Sequence, residues 1–343
     1  MILRSLGGFL DRLRGADRRN APAHAQAWKS ASTSDNSVHR MLDELGVPWR
    51  LSRAELAKRY GVRRDAAYGW KVIEIATPDL KNLIRPLSAQ VFPQFSKAFP
   101  AVDFSGFSSW GSDVRENVRR TADQLTRWLG PAEAGNRHNT FRCEWSFGPA
   151  SVALLGWPDD LQRGPRLKNS AHDRDRRLAT ACHIWIKTGF RPAASVIERG
   201  WLDSFEAIRP IAVAHDQTAE AVHNAAAEQS ELEFVREPGP ELANIFGHIG
   251  RSADGAALIF CHAQLYVIAA KDVLGFDVVR MLPAKGGGGS RLYVECVAHD
   301  RGAKPKRLFI CSGDEPDGLN NVAAEIAEAF GKRCKLGDYI YDY

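Results

Sequence analysis

Apolar and polar residues alternate most regularly over residues 141–147. This period of two predicts a strand that buries one face. A turn at Gly148-Pro149 follows it, and two further apolar runs, residues 151–157 and 181–187, predict two more strands. The apolar positions of the first strand are Phe141, Cys143, Trp145 and Phe147.

Two segments carry the signals of helices. Ser52 followed by Glu55 is a capping box, so we expect a helix from there to Tyr60 that ends at Gly61. An apolar stripe predicts a second helix over residues 112–130, with Gly-Pro at its end. The stripe consists of Val114, Val118, Ala122, Leu125 and Leu129.

The last third of the chain has a different pattern, in which short apolar runs are separated by turn residues. The runs predict strands over residues 256–261, 264–269, 276–282, 291–298 and 307–312. They precede an amphipathic helix over residues 317–330, which Asp317 can cap and Gly331 closes. This order of elements, with Lys271-Asp272-Val273 before a strand, resembles the bacterial pleckstrin-homology-like fold. The resemblance implies a binding or scaffolding module without catalytic residues.

These elements predict an α+β protein with a C-terminal β-barrel or β-sandwich closed by one C-terminal helix. We expect residues 1–36 to form a flexible basic tail, whose segment 2–14 could place a short amphipathic helix on a membrane surface. Residues 38–210 are predicted to form an α+β domain with a small antiparallel sheet. Residues 211–240 are then an alanine-rich helical linker, and residues 241–343 are the pleckstrin-homology-like domain.

Residues 51–70 resemble a bacterial helix-turn-helix. Glu55-Leu56-Ala57 falls on its first helix and Gly61-Val62 on its turn. In that family the second helix lies in the major groove, and its first residues contact the bases. The residues that would open the second helix here are Arg63, Arg64 and Asp65. Residues 70–76 predict a strand directly afterwards, which a winged version or an ordinary α+β domain can accommodate.

Composition places the chain among ordinary globular proteins of mildly basic charge. It has 343 residues, a formal net charge of +5 and six cysteines without a C-x-x-C pair. Such scattered cysteines predict buried free thiols in a reducing compartment. Since no apolar run approaches the roughly 18 residues that span a bilayer, we expect a cytoplasmic protein. The run Gly286–Gly289 precedes a strand rather than a helix, which predicts a hairpin connection and not a phosphate site.

A long charged segment over residues 159–178 is the main candidate for a binding surface, because long loops in compact domains are usually functional or disordered. Trp157 and Trp185 flank it, and its cations could contact an acidic partner. Those cations are Arg163, Arg166, Lys168, Arg174, Arg176 and Arg177. The alternative is a solvated segment whose charges neutralise one another.

Catalytic and metal-binding signatures are weak in the sequence. His172, Asp173, Asp175 and His183 would have to converge to form a metal site or a hydrolase pocket, and their spacing does not require this. We therefore predict no metal and no cofactor. The leading hypothesis is a non-catalytic interaction protein of the adaptor or immunity kind. The alternative is a DNA-binding regulator that uses the helix-turn-helix, and an unrecognised hydrolase is the third possibility.

Overall fold

A computed structural model of the chain describes residues 36–64, 71–83, 85–90, 98–108, 110, 113–137, 140–156, 182–297 and 304–341. Its helices are α1 (Ser37–Glu44), α2 (Arg53–Tyr60), α3 (Pro78–Leu83), α4 (Val114–Leu129), α5 (Val196–Asp203), α6 (Ala219–Asn224), α7 (Leu242–Ile245) and α8 (Asn320–Ala329). Residues 1–35 of the predicted tail, which include the amphipathic segment 2–14, lie outside the described residues. None of the helices described has the length and apolar character needed to cross a bilayer.

The strands belong to three sheets. The first half of the chain contributes β1 (Arg63–Arg64), β2 (Lys71–Ile75), β3 (Arg85–Gln90), β4 (Asp103–Ser108), β5 (Glu133–Arg137), β6 (Thr140–Phe147), β7 (Ala150–Gly156) and β8 (Cys182–Lys187). The second half contributes β9 (Phe205–Pro210), β10 (Val235–Arg236), β11 (His248–Ser252), β12 (Ala257–Cys261), β13 (Leu265–Ala269), β14 (Val273–Leu282), β15 (Gly289–Cys296), β16 (Lys306–Gly313) and β17 (Arg333–Tyr341). The predicted α+β class is confirmed.

The first sheet has eight antiparallel strands in the order β1-β2-β3-β4-β8-β7-β6-β5. Helices α1, α2 and α4 pack on one of its faces. The predicted stripe of α4 is buried there, with Leu125 fully enclosed. The Asp113 side chain caps this helix by accepting the N–H groups of Arg115 and Glu116. The sheet is larger than predicted, and its strand β3 contains Pro86, a residue that is uncommon within sheets because it lacks a backbone donor.

The capping box of α2 is present as predicted. Ser52 Oγ accepts the N–H of Glu55, and the Glu55 carboxylate accepts the N–H of Ser52 at 2.8 Å. The helix ends at Gly61, whose φ of +77° is unfavourable for other residues.

The helix-turn-helix prediction is wrong at its second helix. Arg63 and Arg64 form strand β1, which pairs antiparallel with β2 through Arg63 opposite Val72 and Arg64 opposite Lys71. Pairing with a neighbouring strand satisfies the backbone groups that a helix would have satisfied internally. Asp65, the third predicted contact, lies outside the described residues.

The second half of the chain forms two sheets that pack face to face. The five-stranded sheet has the order β10-β13-β12-β11-β9, and the four-stranded sheet has the order β16-β15-β14-β17. One core lies between them and contains Leu258 and Phe260 of β12 together with Phe276 and Val278 of β14. The described strands form two open sheets rather than a closed barrel.

The five-stranded sheet is covered on its other face as well. Ala257, Ile259 and Cys261 of β12 face a separate core made with helices α5, α6 and α7. Every residue of β12 is therefore fully buried. The sequence of this strand is apolar throughout because both of its faces are covered.

The chain passes from the first sheet to the second earlier than the predicted boundary at residue 210. Strand β9 pairs with β11 in the five-stranded sheet, so residues 205–210 belong to the second half. The predicted linker, residues 211–240, contributes Leu232, Phe234 and Val235 to the core between the two sheets. It also contains β10, which pairs with β13.

The C-terminal helix is not the last element. Helix α8 crosses the inner face of the four-stranded sheet and is followed by β17, which pairs in parallel with β14. Asp317, the predicted cap of this helix, instead binds the side chains of Arg280, Asn320 and Tyr339. The glycine run forms the predicted hairpin, in which Met281 of β14 pairs with Gly289 of β15.

All six cysteines are free thiols, as predicted, and four of them are buried. Burial raises the pKa of Cys182 and Cys311 to about 11 and that of Cys261 and Cys296 to about 12. Since the thiolate is the reactive form, these four thiols are poor nucleophiles at neutral pH.

We therefore expect Ellman's reagent at pH 8 to modify at most two thiols of the folded protein, Cys143 and Cys334. The same reagent should modify all six in guanidinium chloride, because unfolding exposes the thiols and restores their ordinary pKa. Mass spectrometry of the alkylated peptides identifies which thiols react. Rapid labelling of Cys261 or Cys296 in the folded protein would contradict the packing described here.

Candidate interaction surface

The predicted partner-binding segment, residues 159–178, lies outside the described residues together with Trp157. Its six cations and the residues His172, Asp173 and Asp175 are outside them too. Of the predicted site residues in this region, the structure describes Trp185 and His183. Any contact of these two residues with the charged segment therefore lies outside the described part of the molecule.

His183 and Trp185 lie side by side on the face of the eight-stranded sheet opposite to the helices. Their neighbours along β8, Ile184 and Ile186, point into the core on the other face. The His183 ring contacts Phe107 edge to face at 4.3 Å and lies 5.4 Å from the Trp185 ring. Burial lowers the pKa of His183 to about 4, so this imidazole is neutral at pH 7.

The two arginines predicted to contact DNA lie on β1, at one end of the same sheet order and four strands from β8. Arg63 makes an ion pair with Glu74 on the neighbouring strand β2. Arg63 and Arg64 are exposed, but they are presented by a two-residue strand rather than by the end of a helix.

The largest group of exposed apolar side chains on a single strand is found on β17. Leu336, Tyr339, Ile340 and Tyr341 are between 45% and 57% exposed. We call these four residues the edge surface. Strand β17 is the last strand in its sheet order, so no strand among the described residues pairs with its outer edge.

The inner edge of β17 is held by β14 along most of its length. The parallel register runs from Gly275 opposite Arg333 to Leu282 opposite Tyr341, with one irregularity between Val278 and Arg280. At that irregularity, Arg280 Nε donates a hydrogen bond to the Gly337 carbonyl at 2.8 Å. Nine residues at about 3.3 Å each give an edge of roughly 30 Å.

Tyr339 is fixed although half of it is exposed. Its ring lies beneath the Arg280 guanidinium at 4.0 Å, and its hydroxyl donates to Asp317 Oδ2 at 2.7 Å. The hydrogen bonds from Tyr339 and Asn320 and the nearby Arg280 lower the pKa of Asp317, and the same bond raises the pKa of Tyr339. An exposed aromatic ring held in this way loses little entropy when a partner covers it.

The charges on β17 are unevenly distributed. Arg333, Lys335 and Asp338 lie in its first two thirds, where charged side chains discourage uncontrolled strand pairing. Residues 339–341, Tyr-Ile-Tyr, have no charge. This end of the strand therefore presents exposed, uncharged and mostly aromatic side chains.

Sequence analysis missed this surface. Along β17 the apolar residues do not alternate regularly with polar ones over the whole strand. The strand also follows a helix that the sequence predicts as the last element. The Tyr-Ile-Tyr run was the available signal, because aromatic and β-branched residues favour strands. Its exposure could not be read from sequence, since it depends on which strand lies at the end of the sheet.

Among the described residues no group of three or more His, Cys, Asp and Glu side chains is arranged to hold a metal ion. No family model matches the chain, and the searches of curated proteins and of solved structures found no match either.

The lowered pKa of His183 leads to a prediction about stability. In the unfolded chain a histidine titrates near pH 6.5, whereas folded His183 titrates near 4. As the pH falls from about 6.5 to 4, the unfolded state binds a proton that the folded state does not bind, so the folded protein loses stability. His183→Gln removes this titration.

Urea unfolding at several pH values checks this expectation. Between pH 7 and pH 4.5 the free energy of unfolding of the variant should fall by about 2 kcal/mol less than that of the wild type. In NMR spectra the wild-type His183 ring should not titrate above pH 5. Parallel stability curves for the two proteins would show that His183 is not held neutral by the fold.

Proposed function

We propose that this protein is a non-catalytic interaction protein that binds an extended segment of a partner protein along the outer edge of β17. The observation that carries the proposal is the edge surface, an exposed run of apolar side chains on an edge strand. Addition of a strand to an exposed sheet edge is a recurring mode of peptide recognition, in which backbone hydrogen bonds give affinity and side-chain contacts give selectivity.

The backbone of β17 supports this mode. Since β17 ends its sheet order, no strand of the described part of the chain pairs with its outward N–H and C=O groups. The pairing with β14 and the bond from Arg280 to Gly337 hold the strand extended before a partner arrives. A preordered edge lowers the conformational cost of binding.

The side chains of the edge surface support a partner with apolar residues. Ile340 and Tyr341 are at least half exposed and carry no charge. Covering them removes apolar area from water at about 25 cal/mol per Å². Arg333, Lys335 and Asp338 nearby can select partners by charge.

The charged segment 159–178, with Trp157 and Trp185 beside it, remains a proposed second contact. Its arginines and Lys168 suit an acidic region of a partner. Deletion of residues 159–178 tests this contact separately, because the segment is distant in sequence from the edge surface.

The edge surface is tested with Ile340→Lys in the full-length protein. The Ile340 side chain is 50% exposed, so we expect the free energy of unfolding to change by less than about 1 kcal/mol. A partner recovered from the source organism should bind this variant at least tenfold more weakly, because a charge replaces a buried apolar contact. Val196→Lys is the matched control, since Val196 is 91% exposed on α5.

Hydrogen exchange locates the contact. On binding of the partner, amides of residues 333–341 should become protected in the wild type and in the Val196→Lys control. Unchanged affinity of Ile340→Lys, or protection confined to other elements, would contradict the proposal. Concentration-dependent dimerisation that Ile340→Lys abolishes would show that a second copy of the chain occupies the edge.

A further inference from the structure

The outer face of the four-stranded sheet, which points away from the core, carries an exposed pair of aromatic rings. On β16, Leu308 and Ile310 are buried, whereas Phe309 between them is 37% exposed. On β15, Leu292 and Val294 face the core, so Tyr293 lies on the outer face beside Phe309. The two residues are directly opposite each other in the strand register.

Contacts with neighbouring residues hold this pair in place. The rings of Tyr293 and Phe309 meet edge to face with their centres 5.7 Å apart. The guanidinium of Arg307 lies 3.9 Å above Tyr293 and makes an ion pair with Asp277 at 2.5 Å. Phe309 thus keeps about a third of its surface in contact with solvent, while one face of Tyr293 is covered by a cation.

His262 fixes the edge strand that carries Phe309. The N–H of Ala263 donates to His262 Nδ1, so Nε2 carries the proton and donates to the Phe309 carbonyl at 3.0 Å. The imidazole also contacts the Phe309 ring edge to face at 5.5 Å. A residue of the turn between β12 and β13 therefore positions the exposed ring of the four-stranded sheet.

A shallow, open and mostly polar hollow of about 510 Å³ lies beside the aromatic pair. Its lining on β15, β16 and the turn that follows β16 includes Arg291, Tyr293, Phe309, Ser312, Gly313 and Asp314. It offers one flat apolar wall, one guanidinium and a hydroxyl group. Asp314 places a single carboxylate at its rim.

Charge on this face favours an anionic ligand. Four cations, Arg291, Arg307, Arg333 and Lys335, lie on the outer face together with two carboxylates, Asp277 and Glu295. The carboxylates are engaged by Arg307 and Arg333. Arg291 and Lys335 are exposed and make no ion pair with a described residue.

We propose that this face binds single-stranded nucleic acid, with a base stacked on Phe309 and the backbone phosphates near Arg291 and Lys335. Exposed aromatic rings within a cationic surface are the features by which proteins bind single strands, since every base has a flat face. A duplex keeps its bases stacked internally and cannot use the ring. Phe309 and Arg291 lie on β16 and β15, so this surface shares only Lys335 with the proposed protein contact on β17 and does not depend on the proposed protein partner.

The test measures fluorescence anisotropy of labelled 12-nucleotide dT and rU strands and of a 12-base-pair duplex with the full-length protein. At 50 mM salt we expect both single strands to bind, more tightly than the duplex, and to bind less tightly at 200 mM salt. The stronger of the two identifies the natural ligand as DNA or RNA.

Phe309→Leu keeps an apolar side chain but removes the stacking surface, and we expect it to weaken single-strand binding at least fivefold. Phe309→Trp should retain binding. Arg291→Ala should weaken binding and reduce the salt dependence by about one phosphate contact. Arg40→Ala is the control, because Arg40 is an exposed arginine on α1 that neither hypothesis uses, and Arg63→Ala tests the alternative site on β1.

The proposal is overturned if the single strands do not bind at 50 mM salt, or if Phe309→Leu binds as the wild type does. Equal affinity for the duplex and the single strands would show that stacking on Phe309 does not contribute to binding, and it would likewise overturn the proposal. Loss of binding in Arg63→Ala with no effect of Phe309→Leu would move nucleic-acid recognition to β1. Circular dichroism and thermal unfolding of each variant exclude a folding defect as the cause.

Discussion

The burial of both faces of β12, the central strand of the five-stranded sheet, is the constraint on which the second half of the molecule depends. Strand β12 has no exposed residue, because the four-stranded sheet covers one face and helices α5, α6 and α7 cover the other. The centre of this sheet therefore exposes no side chain, whereas β9 at its edge and the outer face of the four-stranded sheet do.

The two sheets are joined by polar contacts as well as by their common core. Lys306 of β16 makes an ion pair with Glu233, and both side chains are nearly buried. Arg209 of β9 makes an ion pair with Glu325 of α8, and His262 makes a hydrogen bond with the Phe309 carbonyl. Removing one member of a buried pair leaves an uncompensated charge, so these contacts favour one relative placement of the sheets. That placement determines which parts of β16 and β17 stay exposed.

Local signals predicted the elements that depend on local contacts. The capping box of Ser52 and Glu55 and the apolar stripe of α4 act within one or two helical turns, and both are present in the structure. The helix-turn-helix resemblance failed at Arg63 and Arg64 because these residues pair with Val72 and Lys71 of the following strand. The sequence predicts that strand, but the pattern at residues 63 and 64 does not distinguish pairing with it from the start of a helix.

The amino-acid sequence alone determined the α+β class, the free buried thiols, the hairpin at Gly286–Gly289 and the strand at residues 257–261. Each follows from side-chain hydrophobicity or backbone freedom at nearby positions. The tertiary structure decided that β9 joins the second half, that β17 ends its sheet and that Phe309 faces solvent. These features depend on sheet order and on which face another layer covers, and long-range packing sets both. The candidate surfaces belong to this second group, because exposure is a property of the assembled layers and not of any single segment.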